Sequence, residues 1–144
     1  MILYRDIKKL YPITRGVEEE SLKFESISCI STIKLKKALY IPLEGEKGLF
    51  DAIQNGAISS LWDRSINLPK WIPNHFPVFF TDNIDYAVER IIGNYKNKMK
   101  QEEWETMTKF FINHNKEEKF DITYEDVRMK KKSLDVVFIE KGGE

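Results

Sequence analysis

Cysteine occurs once in these 144 residues and histidine twice. The lone thiol, Cys29, excludes an internal disulfide and any multi-cysteine metal site. Its place between Ser28 and Ile30, in a strand-like run, marks it as a small core side chain. His75 and His114 fall in separate polar loops, so no convergent ligand set is expected and no metal is assigned. Glycines are scattered. Gly45 and Gly48 lack the third glycine and the Lys-Ser/Thr pair of a phosphate-cradling loop, and Gly142 and Gly143 have no helix behind them. Ser59 and Ser60 lack the Gly-x-Ser-x-Gly elbow of a serine hydrolase. No charge of either sign is in excess, with 23 basic against 23 acidic residues, so neither nucleic acid nor a membrane surface is the expected partner. No apolar run reaches bilayer length. The start, MILYRDIKKLYPITRG, is too regularly charged to hold the core of a secretory signal, so the cytoplasm is the expected compartment.

What the chain does have suits one folded domain over residues 1–144: 42% apolar residues, 32% charged, and abundant aromatics. Ile2, Leu3, Ile7 and Leu10 recur at helical spacing up to Pro12, predicting a short leading helix. LKFESISCIST alternates with a two-residue period, as a strand with a change of buried face would. Ala38 to Leu43 is a dense apolar run whose Pro42 must sit at an edge or a strand end. Leu49, Phe50 and Ile53 can share a helical face, closed by Asn55-Gly56, and a strand is expected at Ala57 to Trp62. Asp63 to Pro77, with three prolines, reads as a long loop. VFFT (78–81) is a strand, and Ile84, Ala87, Val88, Ile91, Ile92 and Tyr95 form one apolar helical stripe capped by Thr81 or Asp82.

Beyond residue 98 the reading continues with an amphipathic helix in QEEWETMTKFFINHN, carrying Trp104, Met107 and Phe111 on one face. A polar loop follows at Asn113 to Lys119, then a short helix from Thr123, and LDVVFI (134–139) predicts a terminal strand that could join the sheet at its edge. The fold class is therefore α/β, a mixed sheet with flanking helices and a helix-plus-strand extension over 99–144.

No catalytic residue is assigned. Glu102, Glu103 and Glu105 read as a solvated face, and Arg128 to Lys132, flanked by acids, as a solvated turn. Trp71, His75 and Phe76, in the proline-rich loop, are the candidate partner contacts.

Taken in order, Ile27 to Thr32, "YIPLEGE" (40–46), "FDAIQNGA" (50–57), "ISSLWDR" (58–64) and "VFFTDNIDYAVERI" (78–91) resemble the N-terminal, UDP-binding domain of the muramyl-peptide (Mur) ligases. The resemblance covers about residues 1–98. It implies a UDP-sugar ligand, a role near peptidoglycan precursors of the cell wall, and ligand contacts at Ser31, Thr32, Gly45 and Glu46. The chain departs from the pattern at Ile30, where the family has aspartate, at Thr32, where it has arginine, and in lacking the Asp-Gly-His stretch after the Gly-Glu turn. No part of the sequence corresponds to the family's ATP domain, and no cofactor is expected. Two readings follow. One is a stand-alone, non-catalytic module that binds a protein partner or a copy of itself through loop 63–77 or the helix at 100–112. The other is the UDP-sugar or nucleotide-binding subunit of a split ligase.

Overall fold

The structure is a computed structural model and describes residues 1–43, 45–98, 106–113 and 136–139. A two-residue strand, β1 (Ile2–Leu3), leads into helix α1 (Tyr4–Leu10), entered through a bond from the Leu3 amide to Asp6 Oδ2 at 2.9 Å. Tyr4 and Ile7 are buried, and Pro12 follows directly on the helix's closing residue, Tyr11. Short strands β2 (Thr14–Arg15), β3 (Lys23–Phe24), β4 (Ser26–Ser28) and β5 (Ala38–Tyr40) come next, then helix α2 (Gly45–Gln54). Pro42 lies just past β5, where no ladder donor is required. Strand β6 (Ala57–Asp63), the proline-rich loop, strand β7 (Val78–Thr81) and helix α3 (Ile84–Lys98) complete the part related by order to the sequence motifs.

The α/β architecture expected from the sequence is present. Seven strands form one sheet in the order β2-β7-β6-β5-β4, continued by β8 (Lys109–Asn113) and β9 (Val136–Ile139). All neighbours are parallel except β2, which runs antiparallel to β7 at one end; β1 and β3 make a separate antiparallel pair. Strand alternation sends side chains to two cores. Leu39, Leu61 and Phe79 face α1 and α3, whereas Tyr40, Trp62 and Val78 face α2 and the loop residues Ile72 and Phe76. A sheet covered on both faces explains why its central strands are so apolar.

Helix α3 is the stripe read from the sequence: Ala87, Val88, Ile91, Ile92 and Tyr95 are all buried. Its cap is Asn83, one residue later than expected, whose Oδ1 accepts from the Tyr86 amide at 2.9 Å, while Thr81 Oγ1 accepts from the Asn83 amide at 3.2 Å. In α2, Leu49 is buried but Phe50 points outward and is 48% exposed.

The helix expected across QEEWETMTKFFINHN is corrected: Lys109–Asn113 is strand. Phe110 and Ile112 are buried while Lys109 and Phe111 are half-buried, a period of two. The local helical spacing of Met107 and Phe111 yields to the ladder beside β4, where Ser26, Ile27 and Ser28 face Lys109, Phe110 and Phe111. A helical contact surface over 100–112 is thereby lost as far as 109–112. Trp104 and Glu102, Glu103 and Glu105 lie outside the described residues, as do His114, the helix start at Thr123 and the run Arg128 to Lys132. The terminal strand is found at Val136–Ile139, pairing parallel with β8 at the end of the sheet, so this part of the extension belongs to the same sheet.

Thr108 fixes where β8 begins. Its buried hydroxyl accepts from the Ile2 amide and donates to the Phe24 carbonyl, each at 2.7 Å, and its own amide donates to the Tyr95 hydroxyl at 3.2 Å. One side chain thus joins the small sheet to the start of β8 beside α3. No helix among the described residues is long and apolar enough to cross a membrane.

Candidate ligand cleft at the carboxyl ends of the strands

Three parallel neighbours, β5, β6 and β7, end at the same edge of the sheet, and each hands the chain to a loop or a helix there. A cleft of about 500 Å³ lies across these ends. Pro42 and Leu43 enter it after β5 and Gly45 and Glu46 from the start of α2, Trp62, Asp63, Ile66 and Asn67 from the end of β6 and its loop, and Asp82 and Asn83 after β7 with Ile84 and Asp85 from the start of α3. Open α/β sheets hold ligands beyond the carboxyl ends of their strands, and the volume is that of a small-molecule or side-chain site.

The loop after β6 is shaped by hydrogen bonds that the residues themselves provide. Asp63 Oδ1 accepts from the Ser65 amide at 2.9 Å and from its hydroxyl at 2.8 Å. These bonds hold the Asp63 carboxyl below its ordinary pKa of 3.8, the backbone bond being the larger cause, then the hydroxyl. The buried Trp62 ring donates from Nε1 to the Ile66 carbonyl at 2.9 Å, folding Ile66 back to the cleft. Further along, Trp71 Nε1 donates to Glu46 Oε2 at 2.6 Å and its ring meets Phe50 edge-on, with centroids 5.4 Å apart. The loop is therefore tied to the first turns of α2.

The cleft is acidic. Glu46, Asp63, Asp82 and Asp85 line it, and among the described residues no lysine, arginine or histidine does. Arg64, at the rim, approaches Asp82 Oδ1 with Nε at 3.4 Å. Both side chains are more than half exposed, so this pair contributes little. Apolar walls come from Pro42, Leu43, Trp62, Ile66 and Ile84. Among the described residues no group of histidine, cysteine and carboxylate side chains is arranged to hold a metal ion.

The residues singled out from the sequence divide into three places. Gly45 and Glu46 open α2 and line the cleft. Ser31 is buried, and its carbonyl accepts from Asn55 Nδ2 at 2.7 Å, just past the other end of α2; Thr32 beside it is exposed. With a rise of 1.5 Å per residue, α2 separates its two ends by roughly 15 Å. Trp71 joins Glu46, His75 is exposed, and Phe76 is buried in the core beneath the loop. The Phe76 carbonyl accepts from Arg15 Nη1 at 2.9 Å.

Asp63, Asp82 and Asp85 were missed by sequence reasoning. Their signal was positional: Asp63 ends β6, Asp82 directly follows β7, and Asp85 lies in the first turn of α3. The chain matches no family model, and it matches no curated protein.

Proposed function

We propose that the chain is a non-catalytic binding or interaction module resembling the N-terminal domain of Mur ligases, with the cleft over β5, β6 and β7 as its binding surface. The observation that carries this reading is the composition of that cleft. It stands at the position where open α/β sheets take ligands, and among the described residues its lining combines apolar walls with four carboxylates and holds no serine, cysteine, histidine or lysine. The sequence also lacks a loop able to cradle a nucleoside triphosphate.

A UDP-sugar site carried over from the family would draw on Ser31, Thr32, Gly45 and Glu46, and α2 stands between the two pairs. A diphosphate in the cleft would face four carboxylates. Binding of a partner in the cytoplasm, in the context of cell-wall synthesis, is the reading that needs neither contact.

Calorimetry of the full chain with UDP, UDP-N-acetylglucosamine and UDP-N-acetylmuramyl peptides tests it. No binding is expected at millimolar ligand. Binding that Thr32→Ala weakens by about tenfold, the loss of one good hydrogen bond, would move the function to UDP-sugar recognition.

A further inference from the structure

We infer that the partner of this cleft is a peptide segment of another protein that presents lysine or arginine beside an apolar anchor residue. The inference rests on the binding-module reading and names the occupant of the same surface. Charge complementarity selects the cation: among the described residues four carboxylates and no basic side chain line the cleft, with Arg64 reaching Asp82 from the rim through an exposed pair. Those carboxylates also stand on separate elements. Glu46 is on α2, Asp63 ends β6, Asp82 follows β7 and Asp85 is in α3, so an extended segment crossing the strand ends passes all of them.

The apolar anchor is selected by what borders the carboxylates. Ile66, 55% exposed, lines the cleft, and Phe50 and Trp71, 48% and 39% exposed, stand as an edge-on pair beside Glu46. Large apolar side chains gathered on a surface and bordered by polar groups mark an interaction site. An indole next to a carboxylate also suits a cation, which can lie over the ring while the acid accepts its protons. Glu46 already accepts from Trp71, but a carboxylate has about four acceptor sites, so capacity remains for an ammonium or guanidinium. The methylenes of a lysine or arginine fit the walls formed by Pro42, Leu43 and Ile84.

The test selects binders to the folded full chain from a random peptide library. Selected peptides are then titrated against the chain, against Glu46→Gln/Asp82→Asn/Asp85→Asn, and against Glu20→Gln, on an exposed turn outside the cleft. Each variant's fold is checked by circular dichroism. Peptides joining lysine or arginine to an apolar residue are expected, weakened about tenfold or more by the triple variant and by raised salt, and unaffected by Glu20→Gln. They should also shift the indole N–H resonances of Trp62 and Trp71. Acidic or neutral selected peptides, or cationic ones that bind the triple variant equally well, overturn the inference; if they still shift Trp62 and Trp71, the binding-module reading stands without it. Failure to select any peptide also overturns it, and the UDP-sugar calorimetry then judges the wider reading separately.

Discussion

Trp71 and Glu46, 25 residues apart in sequence, are joined by a hydrogen bond of 2.6 Å from the indole N–H to the carboxylate, which holds the loop after β6 against the start of α2. Because both groups are partly open to water, the bond contributes about 1 kcal/mol, below the range for buried charged hydrogen bonds. A double-mutant cycle of Trp71→Phe and Glu46→Ala, followed by urea unfolding, is expected to give a coupling of about that size. Additive effects would show that the two side chains do not cooperate.

Thr108 carries a larger share of stability. Replacing it with valine keeps the shape but leaves the buried Ile2 amide without the Thr108 acceptor and the Phe24 carbonyl without the Thr108 donor. The expected loss is about 2 to 3 kcal/mol in urea unfolding. Thr108→Ser, which retains the hydroxyl, should cost only about 1 kcal/mol for the buried methyl. Equal losses from the two would contradict this assignment.

Gly56 ends the turn after α2 with φ of 121°, and a Cβ there would lie 2.1 Å from the Leu35 carbonyl oxygen. Gly56→Ala should therefore destabilise by about 2 to 4 kcal/mol, because backbone must move as well as strain. Gly45 also has positive φ, 68°, but among the described residues nothing lies within 4 Å of its absent Cβ. Gly45→Ala should cost only the backbone strain, about 1 to 2 kcal/mol. Thermal unfolding of the two variants side by side checks the order.

Asp63 supplies a pH signature. Its folded pKa is lowered by the Ser65 bonds, so its contribution to stability is present above the unfolded value and is lost as pH falls through the lowered folded value. Carboxyl carbon shifts followed by NMR should give a midpoint below 3.8, and Ser65→Ala, which removes the hydroxyl donor but keeps the amide, should raise it partway back. No change in that variant would exclude the hydroxyl as a cause.

Local regularity governed what could be read from the residues. The β7 and α3 unit was legible because four strand-favouring residues, a polar cap and a helical apolar stripe agree with one another. Lys109–Asn113 was misread because the spacing of Met107 and Phe111 suggests a helix, while the deciding contact is a parallel ladder with β4, more than 80 residues earlier. The cleft was legible only at Gly45 and Glu46. Its other acids, Asp63, Asp82 and Asp85, lie in stretches that mark strand ends and a helix start without singling out a ligand role, and they meet only because parallel pairing aligns the ends of β5, β6 and β7. Ser31 fits the family order by position, yet the descent of the chain from β4 ties it to Asn55 and places α2 between it and Glu46.

On the proposed function, this polypeptide binds a partner without catalysing ligation. Purified chain incubated with ATP, magnesium, UDP-N-acetylmuramyl peptide and amino acids, with ADP release followed continuously, tests it most directly. The account predicts release no faster than in the protein-free control. Sustained ADP formation accompanied by a new amide bond would contradict it.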